Sequence, residues 1–203
     1  MADVKPVTYR QRQALETHSR IADVARKLFA DNGYAATSIE AIAAEVGVAV
    51  RTVYAAFGTK KAILSAICDR WLQESETIAL VGEAMKAPDP KRRLQLLARA
   101  SRRQWEKGPD ILAMLELAAA TDSEIRTLVT EWAGHRAAAM RQGLEGVPLA
   151  CDLETASAVV RTLTGPQVYQ SLVVDCGWTP QRFEVWLGEA LIVLLMAPEP
   201  SPA

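Results

Sequence analysis

Residues 37–60, TSIEAIAAEVGVAVRTVYAAFGTK, concentrate side chains that can bind an anionic polymer. Hydroxyl groups and lysine are good hydrogen-bond partners for phosphates, and a helix N-terminus adds backbone N–H donors. Arg51 is the only long donor on the second short helix of this segment, and arginine pairs well with O6 and N7 of guanine. The segment therefore has the chemistry of nucleic-acid contact.

Side chains suited to catalysis are sparse along the chain. The sequence has two histidines, so no Ser-His-Asp arrangement can be argued, and it contains no metal-ligand cluster, GxGxxG motif or P-loop. The cysteines, Cys68, Cys151 and Cys176, are far apart and lack CxxC spacing, which excludes a disulfide framework and a zinc knuckle. We expect no enzyme, no metal and no cofactor.

Two short helices joined by a glycine turn, with a longer helix before them, must position residues 37–60. The longer helix covers about residues 12–32, where apolar residues recur at i, i+3, i+4, i+7 and i+8. The second starts at Thr37-Ser38, whose hydroxyls can cap it, and ends at Gly47; the third covers about 50–57. This is helix-turn-helix spacing, in which one short helix enters the major groove while the other braces across the phosphates.

The rest of the chain also predicts helices. The sequence has 34 Ala and 21 Leu, the two best helix formers, and no stretch with the alternation of a strand. Further helices are predicted at about 60–86, 90–107, 110–120, 121–143, 153–174 with a kink at Gly165-Pro166, and 180–196. We predict an all-α fold of about nine helices, with the helix-turn-helix domain over 10–60, a second helical domain over 61–197 and a disordered tail over 198–203.

The charge balance limits the kind of nucleic-acid partner. A net charge of −1 over 203 residues excludes a basic coat protein. Residues 1–61 nevertheless hold nine Lys or Arg and six Asp or Glu, a net +3, whereas the remainder is net −4. The N-terminus lacks the apolar region of a signal peptide, and the longest apolar run of eight residues is too short to span a bilayer. We expect a cytoplasmic protein without a membrane partner.

The stretch from Ile21 to Leu64 resembles the DNA-binding domain of the TetR/AcrR transcriptional regulators. In family shorthand the shared pattern is A..LF...GY..TS...IA...GV...T.Y..F..K..L, which is far more specific than a bare helix-turn-helix pattern. Residues 163–174 with Trp178-Thr-Pro resemble, less strongly, the C-terminal region of one subset of these regulators. The sequence departs from the family at Ala49, where a capping Ser is common, and at Arg51, where Gly is common.

The resemblance implies a division of DNA contacts. Residues facing base edges would be Val50, Arg51 and Ala55, and residues contacting phosphates would be Thr37 or Ser38, Thr52, Tyr54 and Lys60. Each has an alternative: Tyr54 as half-buried packing, the hydroxyl pair as a cap only, Lys60 as a solvated lysine, and Arg51 in a salt bridge with Glu45 or Glu40.

The resemblance also implies that residues 61–197 form an effector-binding and dimerisation domain. The homodimer would be formed by the last two helices, about 153–175 and 180–196. The apolar surface of the last helix is wider than one face, which independently indicates cover on two sides. The predicted interface residues are Leu163, Tyr169, Leu172, Phe183, Trp186, Leu187, Leu191 and Leu194. A twofold dimer would read a palindromic operator in double-stranded DNA.

Effector contacts are predicted from aromatic and methionine residues at helical spacing, although such residues are more often core. The candidates are Trp105, Met114, Leu117, Trp132, His135, Arg136, Met140 and Tyr169. They suit a small hydrophobic or aromatic effector. The predicted function is a ligand-responsive homodimeric repressor that the effector releases from its operator; the alternative is an effector-free or protein-regulated helical DNA-binding or interaction protein.

Overall fold

A computed structural model describes residues 8–198, and the expected tail over 198–203 lies outside the described residues except for Pro198. The described residues form eleven α-helices and one π-helical turn, Gln170–Asp175, between the last two. The α-helices are α1 (Tyr9–Asn32), α2 (Ile39–Val46), α3 (Val50–Phe57), α4 (Lys60–Glu74), α5 (Thr77–Lys86), α6 (Pro90–Lys107), α7 (Pro109–Thr121), α8 (Ser123–Gly143), α9 (Leu153–Leu163), α10 (Pro166–Tyr169) and α11 (Pro180–Leu195). The all-α prediction is confirmed.

One predicted helix, residues 60–86, is two helices in the structure. Ser75 is buried, and its hydroxyl donates to the Leu72 carbonyl at 3.1 Å and lies 2.7 Å from the hydroxyl of Thr77. Such local bonds offer the backbone an alternative to the helix. Glu76 then takes a left-handed conformation, φ 59°, so α4 ends before it and α5 begins after it. The prediction of one continuous helix is therefore wrong.

The predicted kink at Gly165-Pro166 is confirmed and is a complete break. α9 ends at Leu163, and α10 begins with Pro166 at its first position, where the missing N–H costs nothing. Thr164 caps α9 with its own N–H on the carbonyl of Val160. The break leaves the Thr164 carbonyl free to accept from side chains of other helices.

The chain divides into two compact units. The first unit is the chain up to Arg70 together with Ala113–Arg126, and the second is Trp71–Leu112 with the chain from Thr127 onward. Residues at the end of α7 and the start of α8 thus belong to the first unit, and the domain boundary at residue 60 stays a prediction. α4, α7 and α8 contribute residues to both units.

The core of the first unit joins α1, α2 and α3. Ile21, Ala25 and Phe29 are buried on α1, which agrees with the apolar stripe of the sequence. Ile42 of α2 and Val53 of α3 are fully buried with them. The single buried residue of α3 leaves most of that short helix uncovered.

The core of the second unit lies where α6 packs against α5 and α11. Phe183, Leu187 and Leu191 of α11 are fully buried there, so these three predicted interface residues pack inside the protomer. Tyr169 is buried beside Phe183, with ring centroids 5.0 Å apart. The other predicted interface residues reach the surface in part (Leu163, Leu172 and Trp186) or largely (Leu194).

Within residues 8–198, no helix combines the length and the apolar character needed to cross a membrane. The same residues contain no group of three or more His, Cys, Asp or Glu side chains placed to hold a metal ion.

Candidate nucleic-acid interface

The outward face of α3 carries the side chains that the sequence predicts for base contact. Val53 is fully buried and anchors α3 to the core. Arg51, Tyr54 and Ala55, at i, i+3 and i+4, are exposed on the same face, and Tyr54 keeps 49% of its surface accessible. Val50 and Thr52 are half-buried at the start of the helix. The face is therefore available to a DNA groove.

The turn between α2 and α3 is fixed by backbone and side-chain bonds. Gly47 adopts a left-handed conformation, φ 76° and ψ 36°, and its N–H donates to the carbonyls of Ala43 and Ala44. Arg20 of α1 donates to the Val46 carbonyl at 3.0 Å, which satisfies the C-terminal end of α2 from a third helix. The angle at which α3 leaves the turn is thus set by the unit's own framework.

The two helix starts differ in how their N–H groups are satisfied. Ser38 is exposed and caps α2, with its hydroxyl oxygen accepting from the Ala41 N–H at 3.0 Å. Ala49 precedes α3 and makes no side-chain cap, as the departure from the family pattern predicted. The Thr52 N–H donates to the Ala49 carbonyl at 2.8 Å, which leaves the N–H groups of Val50 and Arg51 to donate to a phosphate.

Two predicted phosphate contacts are engaged with the protein's own backbone. Thr37 is buried, and its hydroxyl donates to the Gly33 carbonyl at 2.9 Å and the Leu28 carbonyl at 3.2 Å. The Lys60 ammonium donates to the carbonyls of Tyr34 at 2.8 Å and Thr37 at 3.0 Å. Both side chains hold the loop between α1 and α2, and their contact with phosphate stays a prediction.

Acidic groups at the junction of α7 and α8 influence this loop. Burial, and then the carboxylates of Asp122 and Glu124, raise the pKa of the Tyr34 hydroxyl to about 12. Burial lowers the pKa of Lys60, while Asp122 acts in the opposite direction. Lys61 lies 3.7 Å from Glu124. The start of α8 is therefore electrostatically coupled to the loop before α2.

Arg51 does not form the local salt bridge that was the alternative interpretation. Within residues 8–198, neither Glu40 nor Glu45 pairs with it, and its side chain is exposed. An exposed arginine without an internal partner keeps all five N–H donors for a ligand.

The predicted effector residues do not form one cluster. Met114 and Leu117 belong to the first unit, where Met114 is buried and Leu117 is 69% exposed. Trp105, Arg136 and Met140 of the second unit meet around Thr164, which sequence reasoning missed because only the fold brings it to them. Of the remaining second-unit candidates, Trp132 is half-buried, His135 is exposed and Tyr169 is buried.

Replacing Lys60 by methionine is expected to lower the free energy of unfolding of the protein by about 1–3 kcal/mol, because it leaves the carbonyls of Tyr34 and Thr37 without their charged donor. Urea unfolding measures this loss. Lys61→Met is the matched control, since Lys61 is exposed and its pair with Glu124 should contribute little. A Lys60→Met protein of unchanged stability but weaker DNA binding would instead assign Lys60 to a phosphate.

Known proteins share both the pattern and the fold. Residues 21–67 match the family model described as bacterial regulatory proteins, tetR family. PfmR, a TetR-family regulator from Thermus thermophilus, has a TM-score of 0.61 at 22% identity, covering 96% of this chain and 100% of that chain. A putative TetR-family regulator from Syntrophomonas wolfei has a TM-score of 0.71 at 17% identity, covering 87% and 93%.

A third similar structure is a putative transcriptional regulator from Saccharomonospora viridis in complex with choline. Its TM-score is 0.59 at 21% identity, covering 91% of this chain and 100% of that chain. No curated protein sequence matches the chain closely enough to be called a relative.

Residues 21–67 thus form a helix-turn-helix segment that matches the family model of bacterial regulatory proteins. More particularly, they carry the DNA-binding domain of the tetR family, and the chain has the fold of TetR/AcrR-family transcriptional regulators. The resemblance that the sequence predicted is confirmed.

Proposed function

We propose that the protein is a homodimeric repressor that binds a palindromic operator through α3 and leaves it when a small molecule binds. The exposed Arg51, Tyr54 and Ala55 face of α3, within the segment matching the tetR family, carries this proposal. A repressor needs no contact surface beyond the one that occludes a promoter. It acts in the cytoplasm on double-stranded DNA and has no catalytic role.

The proposed DNA contacts follow the exposure of the side chains. Arg51 donates to a guanine edge, with Val50 and Ala55 against thymine methyl groups. Ser38 and Tyr54 contact phosphates with the free N–H groups at the start of α3. The half-buried Thr52 joins them there, whereas Thr37 and Lys60 support the loop and contribute to phosphate binding through its placement.

A homodimer is supported by apolar side chains that α11 leaves uncovered. Val185 and Val193 are 61% and 79% exposed on the side of α11 away from the buried residues that pack against α6. Leu194, near the end of the helix, is 55% exposed. Large exposed apolar patches mark association surfaces. One DNA-binding segment of net +3 provides a modest electrostatic attraction, and two in a dimer double it.

The effector acts by changing the populations of two dimer arrangements, only one of which fits two successive major grooves. α7 and α8 contribute residues to both units. At their junction, the carboxylate of Asp122 adds to burial in raising the pKa of Tyr34 and opposes the burial that lowers the pKa of Lys60. A molecule bound among the second-unit residues of α8 can therefore bias the position of the DNA-binding loop. The similar structure from S. viridis was solved with choline, which supports small-molecule binding on this fold.

Replacing Arg51 by alanine is expected to weaken binding to the operator by roughly 1–3 kcal/mol, because one base-pair contact is lost. Gel shifts with DNA flanking the protein's own gene measure the effect, and wild-type affinity should fall steeply with salt. Lys61→Ala is the matched control, and it should show a similar, small loss of affinity for operator DNA and for random DNA. Equal losses on both DNAs for Arg51→Ala would restrict Arg51 to a phosphate contact, and salt-independent binding would contradict the proposed function.

A further inference from the structure

A polar cluster interrupts the apolar core of the second unit around the carbonyl of Thr164. This oxygen accepts from the Ser101 hydroxyl at 3.0 Å, the Trp105 indole N–H at 2.9 Å and the Arg136 guanidinium at 2.6 Å. Thr164 is fully buried. A carbonyl has two lone pairs, so two of these three donors would be enough to satisfy it. The need to satisfy this carbonyl therefore does not account for the arginine.

Arg136 is a cation without an anion. Among residues 8–198 no carboxylate pairs with it, and its guanidinium carbon lies 5.3 Å from the centre of the Trp105 ring. Burial lowers the pKa of Arg136 to about 10, so it remains charged at neutral pH. An uncompensated charge in apolar surroundings costs stability, and its retention points to a role for the charge.

The helix around Arg136 has an incompletely covered apolar face. Between residues 126 and 142 no side chain of α8 is fully buried, yet a half-buried stripe runs along one side of the helix. Its members besides Arg136 are Leu128, Val129, Trp132, Ala137, Ala139 and Met140. The stripe is thus apolar with one cation in it, which is complementary to a molecule with an apolar body and one negative charge.

The unused donors of Arg136 reach accessible space. Its Nη2 atom donates both of its hydrogen bonds, to the carbonyl and the hydroxyl of Thr164. In the described part of the chain, the buried side-chain nitrogen and oxygen atoms that lack a hydrogen-bond partner are Nε of Arg93 and Nε of Arg103. Nε and Nη1 of Arg136 make no hydrogen bond and are not among these buried atoms, so both are accessible. Either of these N–H groups can donate a charge-assisted hydrogen bond to a carboxylate oxygen.

We propose that Arg136 binds the carboxylate of an amphipathic small molecule whose apolar body covers the half-buried face of α8. A carboxylate matches the single charge of Arg136, whereas a phosphate monoester carries close to two negative charges at neutral pH. The identification of this molecule as the effector rests on the proposed function; the binding site does not.

Matched pairs of small molecules test the site on the protein with all 203 residues. Benzoate, 4-phenylbutyrate and decanoate are titrated beside their neutral amides, with thermal shift and calorimetry as readouts. At least one carboxylate should raise the melting temperature of the wild type more than its amide does. Arg136→Gln should weaken the binding of that carboxylate by about tenfold or more, because one charge-assisted hydrogen bond is lost. The affinity for the amide should be unchanged.

Two further variants keep the result interpretable. Arg141→Gln, an exposed arginine on the same helix, should retain the full preference for carboxylate. Arg136→Lys should retain a weaker preference even if Arg136→Gln fails to fold, since lysine keeps the charge without the planar guanidinium donors. Equal shifts by acid and amide, no shift by any carboxylate, or an unchanged preference in Arg136→Gln would overturn the proposal. Dissociation of the Arg136→Gln dimer without a carboxylate preference in the wild type would assign this face to a second copy of the chain instead.

Measuring operator binding on the same proteins distinguishes a failure of this site from a failure of the proposed function. Carboxylate binding that depends on Arg136, in a protein that does not bind operator DNA, would overturn the regulator and leave the site intact. Operator binding with no carboxylate preference would overturn the site and leave the regulator intact.

Discussion

Replacing Phe183 by alanine should lower the free energy of unfolding by about 3–5 kcal/mol. Phe183 is fully buried and packs edge-on against Tyr169 at 5.0 Å between ring centroids, with Trp186 at 6.2 Å. Truncation removes a large apolar surface and leaves a cavity that neighbouring helices cannot close without moving. This effect would be a large fraction of the stability of an ordinary domain.

The same variant distinguishes a core residue from an interface residue. Urea unfolding followed at several protein concentrations should show the same loss from Phe183→Ala at each, because the lost packing lies within one protomer. Ile78→Ala is the matched control: Ile78 is 61% exposed on α5, lies outside the proposed interface and should change stability within about 0.5 kcal/mol. A loss of unfolding free energy that becomes smaller as the protein concentration rises would instead place Phe183 in the dimer interface, as the sequence predicted.

Helix ends were predictable wherever local chemistry defines them. Asp89 and Pro90 open α6, and Gly58 ends α3, as capping and turn preferences indicated. The break at Glu76 was not predictable in this way, because neither Gly nor Pro marks it. Its cause is the buried hydroxyl of Ser75, and burial depends on which helices pack around that position.

Side-chain type was predictable at the DNA-binding site, but side-chain direction was not. Arg51 and Tyr54 were identified as donors on a short helix, and both are exposed. Thr37 and Lys60 are donors of equally suitable chemistry, yet both donate to carbonyls of the chain. Those carbonyls come within hydrogen-bonding distance of Thr37 and Lys60 only when α1, α2 and α4 have packed together. This depends on contacts between residues far apart in the sequence.

The last helix shows the same limit in its apolar surface. Its sequence is apolar on more than one side, which indicated two covering partners without saying which residues meet which partner. Phe183, Leu187 and Leu191 face the protomer's own core, while Val185 and Val193 remain outside it. Burial in the folded protomer is therefore what separates intramolecular packing from candidate association surface.

Replacing Val193 by glutamate should separate the proposed dimer and abolish most of its affinity for operator DNA. Val193 is 79% exposed on α11, with Leu194 beside it at 55%, so the change does not disturb the protomer core. Twofold symmetry introduces two carboxylates into the interface at once, where desolvation and mutual repulsion oppose association. A monomer reaches only one half-site, which should weaken operator binding by about 100-fold or more.

Light scattering should report about 22.1 kDa for Val193→Glu and about twice that mass for the wild type. Ile78→Glu is the matched control, since Ile78 is 61% exposed on α5 and lies outside the proposed interface. Circular dichroism should show the same helix content in both variants, which separates dissociation from unfolding. A Val193→Glu protein that remains dimeric would exclude this face of α11 as the interface. A monomer that keeps wild-type operator affinity would show that a single helix-turn-helix domain suffices, and the palindromic operator would have to be abandoned.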